Sequence, residues 1–149
     1  MHPIRIPFGA SATALALTAL LAACATPPQP QGSLRKETVF AITSGMELLK
    51  FNAGQPGRIL ARVPVTGLAA GDKLVGIDFR VSRGVLFTLA QSGRVYTVNT
   101  GTGALTPVPA APLALALPAG QFGFDFNPAV DRMRIVAEGG MNLRIHPDT

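Results

Sequence analysis

From Val39 onward the chain sets short apolar runs between Gly, Asn, Pro and Asp. Runs this short, punctuated by turn formers, predict strands rather than helices. Phe40 to Ile42 and Leu48 to Phe51 flank Thr43-Ser44-Gly45, and the same strand, turn, strand order recurs around Gln91-Ser92-Gly93 and Glu138-Gly139-Gly140. Glycine supplies the positive φ that a tight hairpin needs. The second strands alternate, as in Arg94-Val95-Tyr96-Thr97-Val98 and Asn142-Leu143-Arg144-Ile145, so that one face packs and the other is wet or meets a neighbour. After Asn99-Thr100-Gly101-Thr102-Gly103 a further short strand is expected at Leu105 to Val108. A phosphate-cradling loop would need a following helix and a Lys-Ser or Lys-Thr at its end; this glycine-rich stretch has neither and reads as a turn.

The runs also repeat. Asp78 in VGIDFR and Asp125 in FGFDFN lie 47 residues apart, each between apolar neighbours. The hairpins VFAITSGMELLKFN, VLFTLAQSGRVYTVN and MRIVAEGGMNLRIHP end at Asn52, Asn99 and Pro147, in steps of 47 and 48. A unit of this length with three or four short strands fits a β-propeller blade. The expected fold class is therefore all-β, with antiparallel short-strand repeats of about 47 residues in a propeller-like domain. Residues 38–149 hold only about 2.4 such copies, whereas a closed propeller needs about four blades or more. The expectation is a partial, truncated propeller that stops inside a repeat, with blades supplied by another chain or an open sheet stack as the alternatives. The last hairpin then leaves an open sheet edge for self-association.

Ahead of this region the pattern differs. Arg5 precedes an uncharged stretch from Ile6 to Ala23, as in a secretory signal. The apolar run from Ala10 to Ala23 has 14 residues, short of the roughly 18 that a membrane-crossing helix needs. Leu21-Ala22-Ala23-Cys24 resembles the bacterial lipobox, which implies cleavage before Cys24 and its lipidation. Small residues at 22 and 23 leave a peptidase room at the backbone, and the thiol is the nucleophile that lipid transfer requires. Multiple acyl chains suffice for stable anchoring. Residues 1–23 thus read as a lipoprotein signal peptide, 24–37 as the lipidated cysteine and a flexible Pro-rich tether, and 38–149 as the repeat domain. By resemblance to enterobacterial sorting, Ala25 after the cysteine, rather than Asp, implies the outer membrane.

Composition narrows the function classes. Hydrophobic residues are 48% and charged residues 14% of 149, which excludes a solvated disordered chain. Cys24 is the single cysteine, so acylation leaves no thiol for a disulfide, a metal or a nucleophile. The net charge is +5, but the basic residues from Arg35 to Arg144 are scattered without aromatic interleaving, and no nucleic-acid partner is expected. Arg35 and Lys36, beside the tether, are placed to meet anionic headgroups.

The stretches GIDFRVSRGVLFTL, GRVYTVNTGTGALTPV and above all FGFDFNPAVDRMRIVAEGGMNLRIHPDT resemble the bacterial family called domain of unknown function 4394. The resemblance runs from about Val39 to the end. It implies a propeller-like fold and an envelope location, and it transfers no catalytic residues.

Asp78 and Asp125 are the first candidates. A ring of such carboxylates could bind a cation, or each could accept backbone N–H groups and fix strand geometry. Repetition in phase favours the structural role. Asn127-Pro128-Ala129-Val130-Asp131-Arg132 is expected to form a longer, more polar turn than Arg80 to Gly84, with Asp131 pairing Arg132 or Arg134. Asn127, Asp131 and Arg132 form a second candidate, for a polar ligand or a turn lock. His146 lies beside the C-terminus without a partner evident in sequence, and Ser44, Ser82 and Ser92 lack a nucleophile-elbow setting. The apolar connector APLALALPA, residues 111–119, is expected to pack on a sheet.

The reading that follows is an envelope lipoprotein with a non-enzymatic binding domain for protein, glycan or a second copy, held to the membrane by lipid, with no cofactor or metal. The alternative is a fragment of a propeller hydrolase or lyase using Asp78 and Asp125.

Overall fold

A computed structural model describes residues 31–108 and 117–148. The lipobox residues Leu21, Ala22, Ala23 and Cys24, and most of the 111–119 connector, lie outside the described residues. The described residues are all-β and form three antiparallel sheets, none closed into a barrel. The first contains β1 (Thr38–Ile42), β2 (Glu47–Asn52) and β3 (Gln55–Pro64) in that order. The second runs β4 (Leu74–Arg80), β5 (Val85–Ala90), β6 (Val95–Val98), β7 (Leu105–Pro107). The third holds β8 (Phe122–Asn127), β9 (Arg132–Ala137) and β10 (Asn142–Ile145), with β9 central.

The alternation of side chains explains why three sheets pack on one another. Along β5, Leu86 and Ala90 enter one cluster with Leu48, Val65, Tyr96 and Val98, while Phe87 and Leu89 enter another with Val95, Phe126, Met133 and Ile135. The second sheet is therefore the middle layer, buried on both faces, which is why β5 reads as a continuous apolar run and not as alternation. Burial at about 25 cal/mol per Å² makes these two clusters the main source of stability. Thr88 is the polar residue among them, and its hydroxyl donates to Gly76 O at 2.7 Å, at the register shift between Leu74 and Gly76.

Aromatic pairs span both interfaces. Phe40 of β1 meets Phe79 of β4 at 5.6 Å and 55°, and Phe87 of β5 meets Phe126 of β8 at 4.9 Å and 54°. Beyond them the two interfaces differ. At the second, β4 lies against β8, and a Cβ on Gly76 would come within 2.4 Å of Phe124 Cβ. At the first, β1 is the edge of its sheet, with no strand between it and β4 among the described residues.

One sequence expectation changes, and one strand is not foreseen. The turn joining β8 to β9 has four residues, the same as that joining β4 to β5, so Pro128 to Asp131 is not longer. The third strand of the first sheet, β3, is the longest of the described strands and largely exposed; Pro56, Gly57, Arg58 and Arg62 interrupt the alternation that would reveal it.

Candidate functional site

The residues singled out from sequence gather where the second and third sheets meet. The Asp78 carboxylate on β4 accepts the backbone N–H of Phe126 on β8 at 2.7 Å. This amide belongs to a residue 4% exposed, so the carboxylate satisfies a donor that water cannot easily reach. Asp125, one residue earlier on β8, is exposed and has no hydrogen-bond partner among the described residues. Two aspartates that look equivalent in sequence thus stand in different surroundings.

At the far end of β4 the buried Arg80 guanidinium binds two carboxylates. Its Nε and Nη2 donate to Asp131 at 2.6 to 3.1 Å, and Nη1 and Nη2 donate to Asp148 at 2.7 and 2.8 Å. Ser82 Oγ donates to Asp131 at 3.0 Å. Asp131 pairs with Arg80 rather than with Arg132 or Arg134. Arg132 instead donates to the carbonyls of Val130 and Asp131, and Arg134 donates to Asn142 Oδ1. The Arg80 hydrogen bonds hold Asp131 down at about 2 and keep Asp148 below the usual carboxylate range. Reciprocally, Asp148 first and Asp131 next raise Arg80 above its ordinary value. Asp131 adopts φ 50 where the matching turn has Gly84 at φ 64. A left-handed aspartate is tolerated with mild strain, and its grip on Arg80 offsets it.

Asn127 accepts the Ala129 amide at 3.0 Å, closing the β8–β9 turn. The same device recurs at three chain positions. Asn52 Oδ1 accepts from Gly54, Asn99 Oδ1 from Gly101, and His146 Nδ1 from Asp148. His146 Nδ1 therefore plays a turn asparagine's part, accepting the amide two residues on. Arg80 and Asp148 are missed in sequence because their pairing bridges 68 residues; the one local signal is a buried arginine closing a largely apolar strand that also holds Asp78.

A cleft of about 550 Å³ lies between the β1–β2 turn and β4. Ile42, Met46, Leu68, Leu74, Val75 and Ile77 give it apolar walls, and Thr43, Asp72 and Lys73 rim it. Asp72 anchors the rim. Burial would push its carboxyl up, but the Ser92 hydroxyl and the amides of Lys73 and Ser92 outweigh this and hold it below its ordinary value. Among the described residues no three His, Cys, Asp or Glu gather as a metal site, and no helix is long and apolar enough to cross a membrane.

A family model, Domain of unknown function (DUF4394), matches residues 47–149, more than half of the chain. The chain belongs to this family. The DUF4394 match opens at the start of β2 and runs through β10, so it takes in the Arg80 cluster and the β4 wall of the cleft but leaves out β1. No curated protein and no solved structure gives a match.

Proposed function

We propose that the chain is a bacterial envelope lipoprotein, anchored through Cys24, whose propeller-like DUF4394 domain binds a ligand without chemical turnover. The observation that carries the binding half is the apolar cleft between the β1–β2 turn and β4, rimmed by Thr43, Asp72 and Lys73. A concave apolar wall with a few placed polar groups is the usual form of a binding site. Of the two aspartates an enzyme reading would use, Asp78 is occupied by the Phe126 amide, and Asp125 stands exposed without a side-chain partner among the described residues.

The propeller reading is supported by strands that open at Thr38, Val85 and Arg132, by the paired aromatics at both interfaces, and by the turn acceptors at 52, 99 and 146. All keep the 47-residue step of the sequence. The lipid half rests on the lipobox-like Leu21 to Cys24.

Two measurements test the proposal. An environment-sensitive apolar fluorophore should brighten on the full chain, and Ile77→Arg in the cleft wall should abolish this while Val136→Arg on the exposed third sheet leaves it unchanged; equal loss in both would refute a cleft site. Intact mass of membrane-extracted protein should show acylation that Cys24→Ala removes, and an unmodified wild type would refute the anchor.

A further inference from the structure

The cleft has a shape that the rest of the molecule explains. In the second sheet β5 is flanked by β4, and in the third β9 is flanked by β8. The strand that matches β5 and β9 in the first sheet is β1, and among the described residues it has no such neighbour. Residues 31–37, which precede β1, run along the far end of that sheet instead: Arg35 N and O bond the Asn52 side chain, and Gln55 donates to Gly32 O. The Phe40–Phe79 pair nevertheless holds β1 and β4 at a distance close to that of the Phe87–Phe126 pair. Beside them the cleft runs from Ile42, at the end of β1, to Leu74–Ile77 of β4.

Among the described residues, the groups on this edge of β1 pair with no strand. Thr43 N donates to Glu47 O and Ala53 N to Glu37 O, which turns the odd-numbered backbone groups of β1 toward β2. Thr38, Phe40 and Ile42 therefore direct their N–H and C=O groups outward. On the opposite wall, Phe79 holds on β4 the place that Phe126 holds on β8, and among the described residues no side chain accepts its amide.

We infer that this cleft is the seat of an added strand, and that it takes an extended peptide, pairing antiparallel with β1, in which a glycine precedes an aspartate by two residues. The inference rests on the binding reading above and names its ligand class. The occupied interface is the template. There Gly76 stands opposite Leu89 and Asp78 opposite Phe87, Gly76 lets the backbone lie against Phe124, and Asp78 caps the Phe126 amide. Moved to the cleft, the guest glycine falls opposite Ile42 and against Ile77, and the guest aspartate falls opposite Phe40, in reach of the Phe79 amide. Main-chain pairing supplies affinity, and alternate side chains enter the apolar walls for specificity.

The probe is the β4 sequence itself, a fluorescein-labelled LVGIDFR peptide, titrated into the full chain by fluorescence anisotropy. Saturable binding is expected. Changing the peptide aspartate to Asn should weaken it about tenfold, and N-methylation of alternate backbone amides should remove it without touching the protein. Ile77→Arg should abolish binding, and Val136→Arg should leave it. Equal binding of the N-methylated or a scrambled peptide would overturn the inference, as would binding that survives Ile77→Arg. If the apolar fluorophore enters the cleft and no peptide does, strand addition is refuted while the binding reading stands; if neither binds, both fall.

Discussion

Replacing Asp78 by Ala removes the acceptor of the Phe126 amide and leaves that N–H facing an apolar, nearly closed interface. A hydrogen bond to a charged group contributes about 1.5–3 kcal/mol, and an orphaned buried donor costs about 1–3 kcal/mol. These are two views of one loss, and the half-buried carboxylate places it near the middle, at about 2 kcal/mol. Asp125→Ala removes an exposed side chain with no partner among the described residues, and should stay within about 0.5 kcal/mol. Asp78→Asn keeps an oxygen acceptor but gives up its charge, and should lose about 1 kcal/mol. With a urea m-value of about 1.5 kcal/mol per M, the Asp78→Ala midpoint falls by about 1.3 M and that of Asp125→Ala barely moves. Urea unfolding followed by far-UV circular dichroism reads all three. Equal losses at 78 and 125 would refute the reasoning, because they would mean that the position in the repeat, and not the Phe126 amide, sets the energy.

Arg80→Met should destabilise by about 2 kcal/mol, below the roughly 3–5 kcal/mol of a fully buried pair because both carboxylates reach solvent; thermal unfolding checks it. The same cluster sets an acid limit. Asp131 is lowered from 3.8 to about 2 and Asp148 is lowered too, so their contribution is present in full above the unfolded value and is lost as pH falls toward about 2. The wild type should lose stability across that window, and Arg80→Met should flatten the profile. Gly76→Ala should destabilise by about 1–3 kcal/mol, since its Cβ would press on Phe124 Cβ, which cannot swing away; a calorimetric Tm equal to wild type would contradict the close packing of β4 on β8. His146→Asn should be neutral and His146→Ala should cost about 1 kcal/mol, because asparagine performs the same turn closure at 52 and 99; urea midpoints distinguish them.

Which parts of this were legible in the sequence follows from the range of each interaction. The hairpins at 43–46, 91–94 and 138–141 depend on glycine and on local alternation, and their strands fall close to where the pattern puts them. The recurring acceptors at 52 and 99 are local too. Asp78 could be read as structural, but its partner could not, because the Phe126 amide lies 48 residues away and every residue has such an amide. Arg80 escaped notice for the same reason: nothing near it in the chain announces Asp131 or Asp148. The sequence pairing of Asp131 with Arg132 or Arg134 fails because β-strand neighbours point to opposite faces, and the left-handed turn aims the aspartate back at β4. The cleft is hardest to foresee. It arises where, among the described residues, a strand flanks β5 and β9 but not β1, and that difference is a property of sheet topology, invisible in any single run.

Amide hydrogen exchange on β1 tests the central claim, that the cleft is a binding seat bounded by an open edge. The account predicts fast exchange at Phe40 and Ile42 in the free chain, slow exchange at Ala41 and Leu49, and strong protection of Phe40, Ile42 and Phe79 once the LVGIDFR peptide is added. Protection of Phe40 and Ile42 already present in the free chain, or no change on adding the peptide, would contradict it.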